Sequence, residues 1–561
     1  MKKSNIAEIL VTVTLMVLVV SVSVSAQEIP RGGTLTAVLV AEPRVLTPET
    51  GAWNAGFVAA QIFNSLLTLD KDLNIVPCLA ERWEINEQDQ SYTFYLRKNA
   101  KWHDGEPFTA ADVKFSFEEI LSKYDIFGAL YFEGAKVDII DDYTVKVKFN
   151  KFLPAAQLKL MASIDAAMFP KHILEGQDFL KSEFRSKPIG TGPFKFKEWV
   201  KGSHIILERN DDYWAEGKPY LDELVIRIIP DPGTILASFE RGEIDYVFRG
   251  VPYETYDRLS KMEEAEVLLS ARPPYKLFLS INQKHPILSN KKVRQAIAYA
   301  IDRDDIIARA TNGLAKPTDS FWSPELTPPS PNRKIYNYDP AKAEKLLDEA
   351  GYPRGADGKR FSIEILCRRG EAEENLAAEL IKDQLSEVGI EVKLKIADFA
   401  TVLDLESHYQ YDIELYKRWL EPLWTYQLLH SSWIRPGEPF TNTVQYNNSK
   451  VDELLDKWLA EPDPDRQVEI LQQVEDIVTD ELPEIPVYDV VFINLKRKSF
   501  QGPDIPVGKY VFWDSLENMY WTKGEVARPM WTTETMVIVG VGIIVAVIVA
   551  GIVFMVMRRR R

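Results

Sequence analysis

Cysteine is almost missing from this sequence. Only Cys78 and Cys367 occur in 561 residues. They stand far apart and in no CxxC spacing, so neither a zinc or iron–sulfur site nor a disulfide framework can organise the fold. One long-range disulfide or two buried thiols remain open, and buried thiols are the favoured reading. Histidine is scarce as well, with six residues scattered without pattern. No GxSxG or HExxH run is present, which removes two common nucleophile and metallohydrolase signatures. The 83 acids contain no pair that stands out as the two opposed carboxylates of a glycosidase. The chain is therefore read as a non-enzyme with no metal and no cofactor. Positive charge is in deficit too. Lys and Arg number 67 against 83 Asp and Glu, a net charge of −16. Binding to phosphate backbones needs clustered cations, so nucleic acid is excluded as a partner. No internal repeat or low-complexity tract is seen.

What the sequence does have begins at its two ends. Lys2 and Lys3 precede a mostly apolar Ile9–Val24, and Val24-Ser25-Ala26 offers small residues for cleavage. Residues 1–26 are read as a signal peptide, with an uncleaved anchor as the alternative. Met536 to Met557 is 22 residues without a charge. At about 1.5 Å of helical rise per residue this spans roughly 33 Å, enough for a hydrocarbon core of about 30 Å. Arg558–Arg561 follow at once and would face the cytoplasm. The expectation is a single-pass membrane protein with its body outside, a tether at 523–535, a transmembrane helix at 536–557 and a cytoplasmic tail at 558–561.

The length suits two or three domains. Between the ends, strand-like and helix-like runs alternate, the pattern of an α/β protein. Gly33–Val40, Ser91–Leu96 and Tyr143–Phe149 alternate as strands, and helices are expected over Ala110–Leu121 and Ala155–Ile164. Further on, Asn290 caps a helix whose apolar residues Val293, Ala296, Ile297, Ala300 and Ile301 recur three and four apart. Asp339-Pro340 opens another with its cap and first-turn proline in preferred places. A third helix over about Glu371–Val388 stops at Gly389, and Ile390–Ile396 alternates as a strand. Helix, glycine, strand in succession is doubly wound architecture.

A series of motifs punctuates the same stretch. They are Leu67-Thr68-Leu69-Asp70, Pro77–Trp83, Tyr92-Thr93-Phe94 leading into Leu96–Val113, Gly190-Thr191-Gly192-Pro193-Phe194, Asn210–Trp214, Gly242-Glu243-Ile244-Asp245 and Val293–Arg303. In this order and spacing the chain resembles the extracellular solute-binding proteins of the peptide, nickel and oligosaccharide type that serve ABC importers, from Gly32 to about Trp521. The resemblance implies a two-lobed periplasmic-binding-protein-like fold of type II with an extra inserted subdomain. The first lobe would comprise 27–66, 188–280 and 488–522, the inserted subdomain 67–187, and the second lobe 281–487. The crossings between lobes are expected at Tyr275–Ile281 and Ile485–Tyr488. The implied function is capture of an oligosaccharide or oligopeptide by lobe closure and delivery to importer permease subunits by a monomeric ectodomain. A surface sensor or scaffold of the same fold is the alternative. An anchored receptor of this kind suggests a cell without a periplasm, as in archaea.

Several motifs also have structural readings. Trp102-His103-Asp104-Gly105 suits a strand end and turn, with His103 structural. Gly190-Thr191-Gly192-Pro193 lacks the Lys-Ser/Thr of a phosphate loop and reads as a turn between subdomain and lobe. Asp302-Arg303 pins a helix end. The ligand site is expected around Tyr416–Trp424. Peptide-binding relatives carry an Asp three residues after an aromatic here to pair with the peptide's amino end. This chain has Trp419 followed by Pro422 at that place, and only Glu421 nearby. Trp419 and Trp424, with Trp53 and Trp322, offer flat faces suited to sugar rings, whereas Trp433 is expected in the core. Glu42, Asn54, Asn282, Arg418, Glu421, Asn442 and Tyr446 complete the candidate ligand-binding set.

Overall fold

The computed structural model describes residues 29–521, except 51–52, 71–73, 126, 249–250, 270–274, 325–326, 420–421 and 503–518. Two large sheets organise it. The first has seven strands in the order Ala265–Leu269, Ile493–Arg497, Tyr246–Val247, Thr34–Leu39, Glu223–Ile228, His204–Arg209 and Phe194–Val200. Thr34–Leu39 runs parallel to Glu223–Ile228, with Thr34 opposite Glu223, and the outer pairs are antiparallel. Distant parts of the chain thus build one sheet, and the returning strand at 493–497 belongs to it.

The second sheet has six strands: Lys316–Pro317, Glu484–Asp489, Tyr275–Ile281, Ile413–Trp419, Phe361–Arg368 and Ile390–Ala397. Phe361–Arg368 lies parallel to Ile390–Ala397 on one side and to Ile413–Trp419 on the other. The helices Ala372–Glu387 and Phe399–Ser407 make the connections, so the alternation read from Glu371 to Ile396 is a true crossover unit. Tyr275–Ile281 is buried at all seven positions. A nearly continuous apolar run is what a strand covered on both faces requires. Its polar exceptions are tied down inside: Lys276 pairs with Asp489 and donates to Thr318 at 2.7 Å, and Ser280 donates to Glu484 at 2.9 Å.

This placement refines the expected crossings. Tyr275–Ile281 and Glu484–Asp489 are adjacent strands inside the second sheet. The chain leaves the first sheet after Leu269 and enters the second at Tyr275, and it returns through 490–492. Residue 280 therefore cannot end the first lobe, because the whole strand from Tyr275 pairs in the second.

The inserted region forms its own antiparallel sheet in the order Ala80–Asn86, Ser91–Leu96, Thr144–Lys148, Lys136–Asp141. Its core is aromatic: Phe132 stacks on Phe149, Phe117 meets both edge-on, and Phe149 lies tilted against Tyr92, which stacks on Phe94. His103 joins it to the first lobe. Gly190 donates its N–H to Nδ1 at 3.2 Å, so Nε2 carries the proton and donates to the Gly192 carbonyl at 3.0 Å. Burial holds the imidazole near pKa 4, neutral at physiological pH. The glycines are needed for close approach: a Cβ on Gly190 or Gly192 would strike the backbone of Ile62. The turn and structural-histidine readings hold.

Local signals in the second half are obeyed closely. Asn290 and Asp339 cap the helices Lys291–Ala300 and Pro340–Glu349. Asp302 caps Arg303–Ala310, and Arg303 donates to the carbonyls of Pro486 and Tyr336, each at 2.9 Å. Cys78 and Cys367 are both buried as thiols, with Cys367 pushed up to about 12 by burial. Among the described residues no helix is long and apolar enough to cross a membrane. The stretches expected as signal peptide, tether, span and tail lie outside the described residues.

Candidate functional site

The two crossings meet at an aromatic group. Val490 donates its N–H to the carbonyl of Tyr275 at 2.9 Å, linking one crossing to the other. The Tyr275 ring lies 5.0 Å from Trp419 and 5.4 Å from Phe492, both edge-on. Trp419 closes the strand Ile413–Trp419, beyond the level of Arg368 on its parallel neighbour. In open α/β sheets ligands bind outside the carboxyl ends of the strands, and these side chains stand there.

Successive side chains on a strand turn to opposite faces, so Lys417 and Arg418 serve separate clusters. The Lys417 ammonium lies 3.2 Å from Glu371, 3.3 Å from Glu374 and in contact with Glu373. Burial alone would lower it, but the three glutamates raise it well above an ordinary lysine. The oxygens of these glutamates lie within 4.8 Å of one another, a spacing that suits a cation, and the ammonium serves as that cation. Arg368 adds a second, 2.6 Å from Glu374 and stacked 4.4 Å over Tyr416. From the first lobe, Tyr253 comes close enough to feel Lys417 and Glu373, while burial pushes its phenol up.

Arg418 heads an interior cluster. It is 4% exposed and lies 2.8 Å from Glu484, 3.1 Å from Glu406 and 3.2 Å from Glu414, with further bonds to Ser280 and Thr443. Three acids share one cation, and burial, followed by Glu406, drives the Glu414 carboxyl well above its usual range.

On the facing side, the inserted subdomain reaches the second lobe through Phe127. Its ring meets Trp424 edge-on at 4.8 Å, and Trp424 meets Phe440 at 6.2 Å. Two residues before Phe127, Asp125 is 1% exposed and accepts from the N–H groups of Phe127 and Gly128. Burial, then Asp165, raise its carboxyl well above the ordinary value, with Glu49 adding to the effect. Glu49 is itself buried and receives Arg185 at 2.8 Å.

The sequence candidates separate accordingly. Trp419 and Trp424 stand where the lobes approach. Asn54, in the helix Trp53–Ile62, is half-buried; the side chain of Trp53 and all of Glu421 lie outside what is described. The others are committed elsewhere. Arg418 is neutralised within its lobe. Trp322 is wholly buried and donates to Thr425 at 2.9 Å, so it is core, whereas Trp433, expected in the core, is half-buried under Arg435. Asn282 ties its amide to the carbonyl of Tyr411 at 2.9 Å and receives Gln445 at 2.9 Å. Asn442 donates to Tyr446 and His430 carbonyls and accepts the Tyr446 N–H, fixing a loop. Tyr446 is buried with its hydroxyl on Glu481. Glu42 accepts from the Trp199 indole and the Gly202 N–H on an exposed edge of the first lobe. Phe127, Tyr253 and the Glu371–Lys417 group were missed. Only the last left a trace in sequence: acids at a strand-to-helix turn just after Arg368-Arg369-Gly370.

The family model for bacterial extracellular solute-binding proteins, family 5, matches residues 74–438. The chain belongs to this family. It is 30% identical over 457 residues to the oligopeptide-binding protein AppA of Bacillus subtilis, covering 77% of this chain and 81% of that protein. It is 28% identical over 459 residues to the glutathione-binding protein GsiB of Escherichia coli K12, covering 79% and 86%. The structure of AppA from Bacillus subtilis with a nonapeptide superposes with a TM-score of 0.73 at 27% identity, over 88% of this chain and 100% of that one. NikZ from Campylobacter jejuni with Ni(L-His) superposes at 0.71 with 26% identity, over 84% and 95%. The two-lobed α/β binding-protein fold follows, and AppA and GsiB are named as binding proteins.

The family also corrects the expected location. Its members are described as extracellular, so the single-pass topology with a cytoplasmic C-terminus is not retained. The relatives compared are bacterial, and an archaeal source gains no support.

Proposed function

We propose that this family member is an extracellular receptor that binds an oligopeptide between its lobes and presents it to the permease subunits of an ABC importer. The observation that carries this reading is the likeness, along nearly the whole chain, to a peptide-bound AppA. An oligosaccharide ligand rested on the clustering of tryptophans. Trp322 is core and Trp433 packs under an arginine, which leaves, among the described side chains of that cluster, Trp419 and Trp424 for stacking.

The mechanism is closure of the two lobes about the paired crossings. Ligand contacts made only in the closed form shift the population toward it. In this reading Trp419 and Trp424 form the wall of the second lobe, and the inserted subdomain supplies Phe127 opposite. The acid expected at 422 is Pro422, so the peptide's amino end must find its counter-charge elsewhere.

The test is isothermal titration of the purified protein with di- to nonapeptides and, in parallel, oligosaccharides. Peptide binding that weakens at least tenfold in Trp419→Ala supports the reading. Heat with oligosaccharides alone would overturn it in favour of a sugar receptor.

A further inference from the structure

The inserted subdomain is fastened to the first lobe through His103, yet it also packs on the second lobe. Its helix Pro154–Met161 lies against the helix Ser449–Ala460, and the Phe127 ring meets Trp424 edge-on at 4.8 Å. The apolar cores reflect this. Buried Phe117, Phe132, Leu160 and Met161 of the subdomain belong to one contiguous cluster with Leu454, Leu455 and Trp458 of the second lobe. Elsewhere the lobes keep cores of their own, around Leu277 and Leu279 in the second and around Val38 and Leu495 in the first. A contiguous core marks one packed unit, whereas domains that move freely meet through smaller and more polar surfaces.

Both rings of the contact are held from behind. Asp125 accepts the N–H of Phe127 at 3.0 Å and that of Gly128. A Cβ on Gly128 would strike the Leu121 carbonyl, so the turn that carries Phe127 is closely packed. On the other side Trp424 also meets Phe440 edge-on at 6.2 Å. Phe440 has a φ of 62°, a left-handed conformation that bulky side chains rarely adopt. Its neighbours pin it there: Thr441 donates its hydroxyl to the Glu438 carbonyl at 2.8 Å, and Asn442 its N–H to the Trp433 carbonyl at 3.0 Å. Strain of this kind persists only where the surroundings over-determine it, and it concentrates at clamps and switches.

We propose that Phe127, Trp424 and Phe440 form an aromatic latch that holds the inserted subdomain on the second lobe and favours the closed clamp even without a ligand. This rests on the lobe-closure reading above and goes beyond it. The latch is built from the protein's own side chains. Removing them from water therefore lowers the free energy of the closed form whether or not a peptide is bound. Ligand contacts add to a closure already favoured, and a peptide enters during brief openings of the latch. Trp424 is only half-buried, so part of its surface remains for the peptide.

The experiment is a pulsed electron-spin distance measurement on the full chain without peptide, with nitroxides on Ile140→Cys in the subdomain and Glu453→Cys on the helix Ser449–Ala460. Both positions are well exposed, and the two native cysteines are buried. One short distance should dominate, with an open population below about 10%. Phe127→Ala should raise that population at least fivefold. Trp424→Ala should do the same, and the double variant should add little, since both changes break one contact. A predominantly open distribution in the labelled protein with its rings intact overturns the latch, and this arm needs no ring variant, so a misfolded one cannot mask it. An unchanged distribution in both folded ring variants also overturns it. Neither result touches the peptide receptor, which titration with peptides decides separately, and a chain that binds no peptide leaves these distances to be read as before.

Discussion

The second lobe and the inserted subdomain bury acids in opposite ways. In the second lobe Lys417 sits among Glu371, Glu373 and Glu374, and Arg418 among Glu406, Glu414 and Glu484. Each of these six acids shares a cation of the same lobe. In the inserted subdomain Asp125 meets two further acids and two backbone N–H groups. A buried carboxylate with a paired cation is a structural element, because its charge is cancelled whether or not ligand is present. A buried carboxyl beside other acids keeps a proton or awaits a counter-charge.

The largest break of this comparison is Arg418→Met. It removes the shared cation from three enclosed acids and should cost about 3–5 kcal/mol in chemical denaturation at pH 7. Part of the loss should return at pH 5, as the stranded carboxylates protonate; an equal loss at both values would mean packing, not charge, is what Arg418 supplies. Lys417→Met should cost somewhat less, about 2–3 kcal/mol, since Arg368 remains on Glu374. Burial pushes Glu371 up, but Lys417 and Arg368 outweigh it and hold the carboxyl below its ordinary range. Its stabilising share is present above the unfolded value and is lost as pH falls through the lower folded one. Lys417→Met should flatten that acid limb of the stability curve, which pH-resolved denaturation reads directly.

Asp125→Asn tests the other side and has the smaller effect, of opposite sign. A carboxyl raised in the fold adds stability below its unfolded pKa, and this is lost as pH rises toward the folded value. The amide keeps an acceptor for Phe127 and Gly128 without a titrating charge. The variant should match the native protein near pH 4 and exceed it by about 1 kcal/mol near pH 8. Destabilisation at pH 8 in thermal melts would show that Asp125 is ionised and paired in the empty protein.

Much of the fold was legible because it is written in local codes. Asn290, Asp302 and Asp339 cap the helices they precede, and alternation located Ser91–Leu96 to the residue. The site was legible only in part. Trp419 and Trp424 were found because they fall in the stretch, Tyr416–Trp424, where the resemblance places the ligand. Arg418 and Trp322 were drawn in by the same logic and proved internal, since nothing in a strand's sequence says which neighbour will neutralise a charge or cover a ring. Asn282, Asn442 and Tyr446 were placed near the cleft by pattern, yet their polar atoms are spent on loop carbonyls and Glu481. Asp125 gave no signal, because its meaning depends on Glu49 and Asp165, residues 76 and 40 positions away.

By itself, then, the sequence determined the class of molecule: an acidic α/β chain with the ordered motifs of a family of extracellular binding proteins. It did so because caps, turns and alternation act over a few residues, and motif order survives substitution elsewhere. Only the tertiary structure decided which charges are cancelled and which stand ready. Charge pairing acts through space over a few ångströms, and the segments it joins are separated along the chain by tens to hundreds of residues.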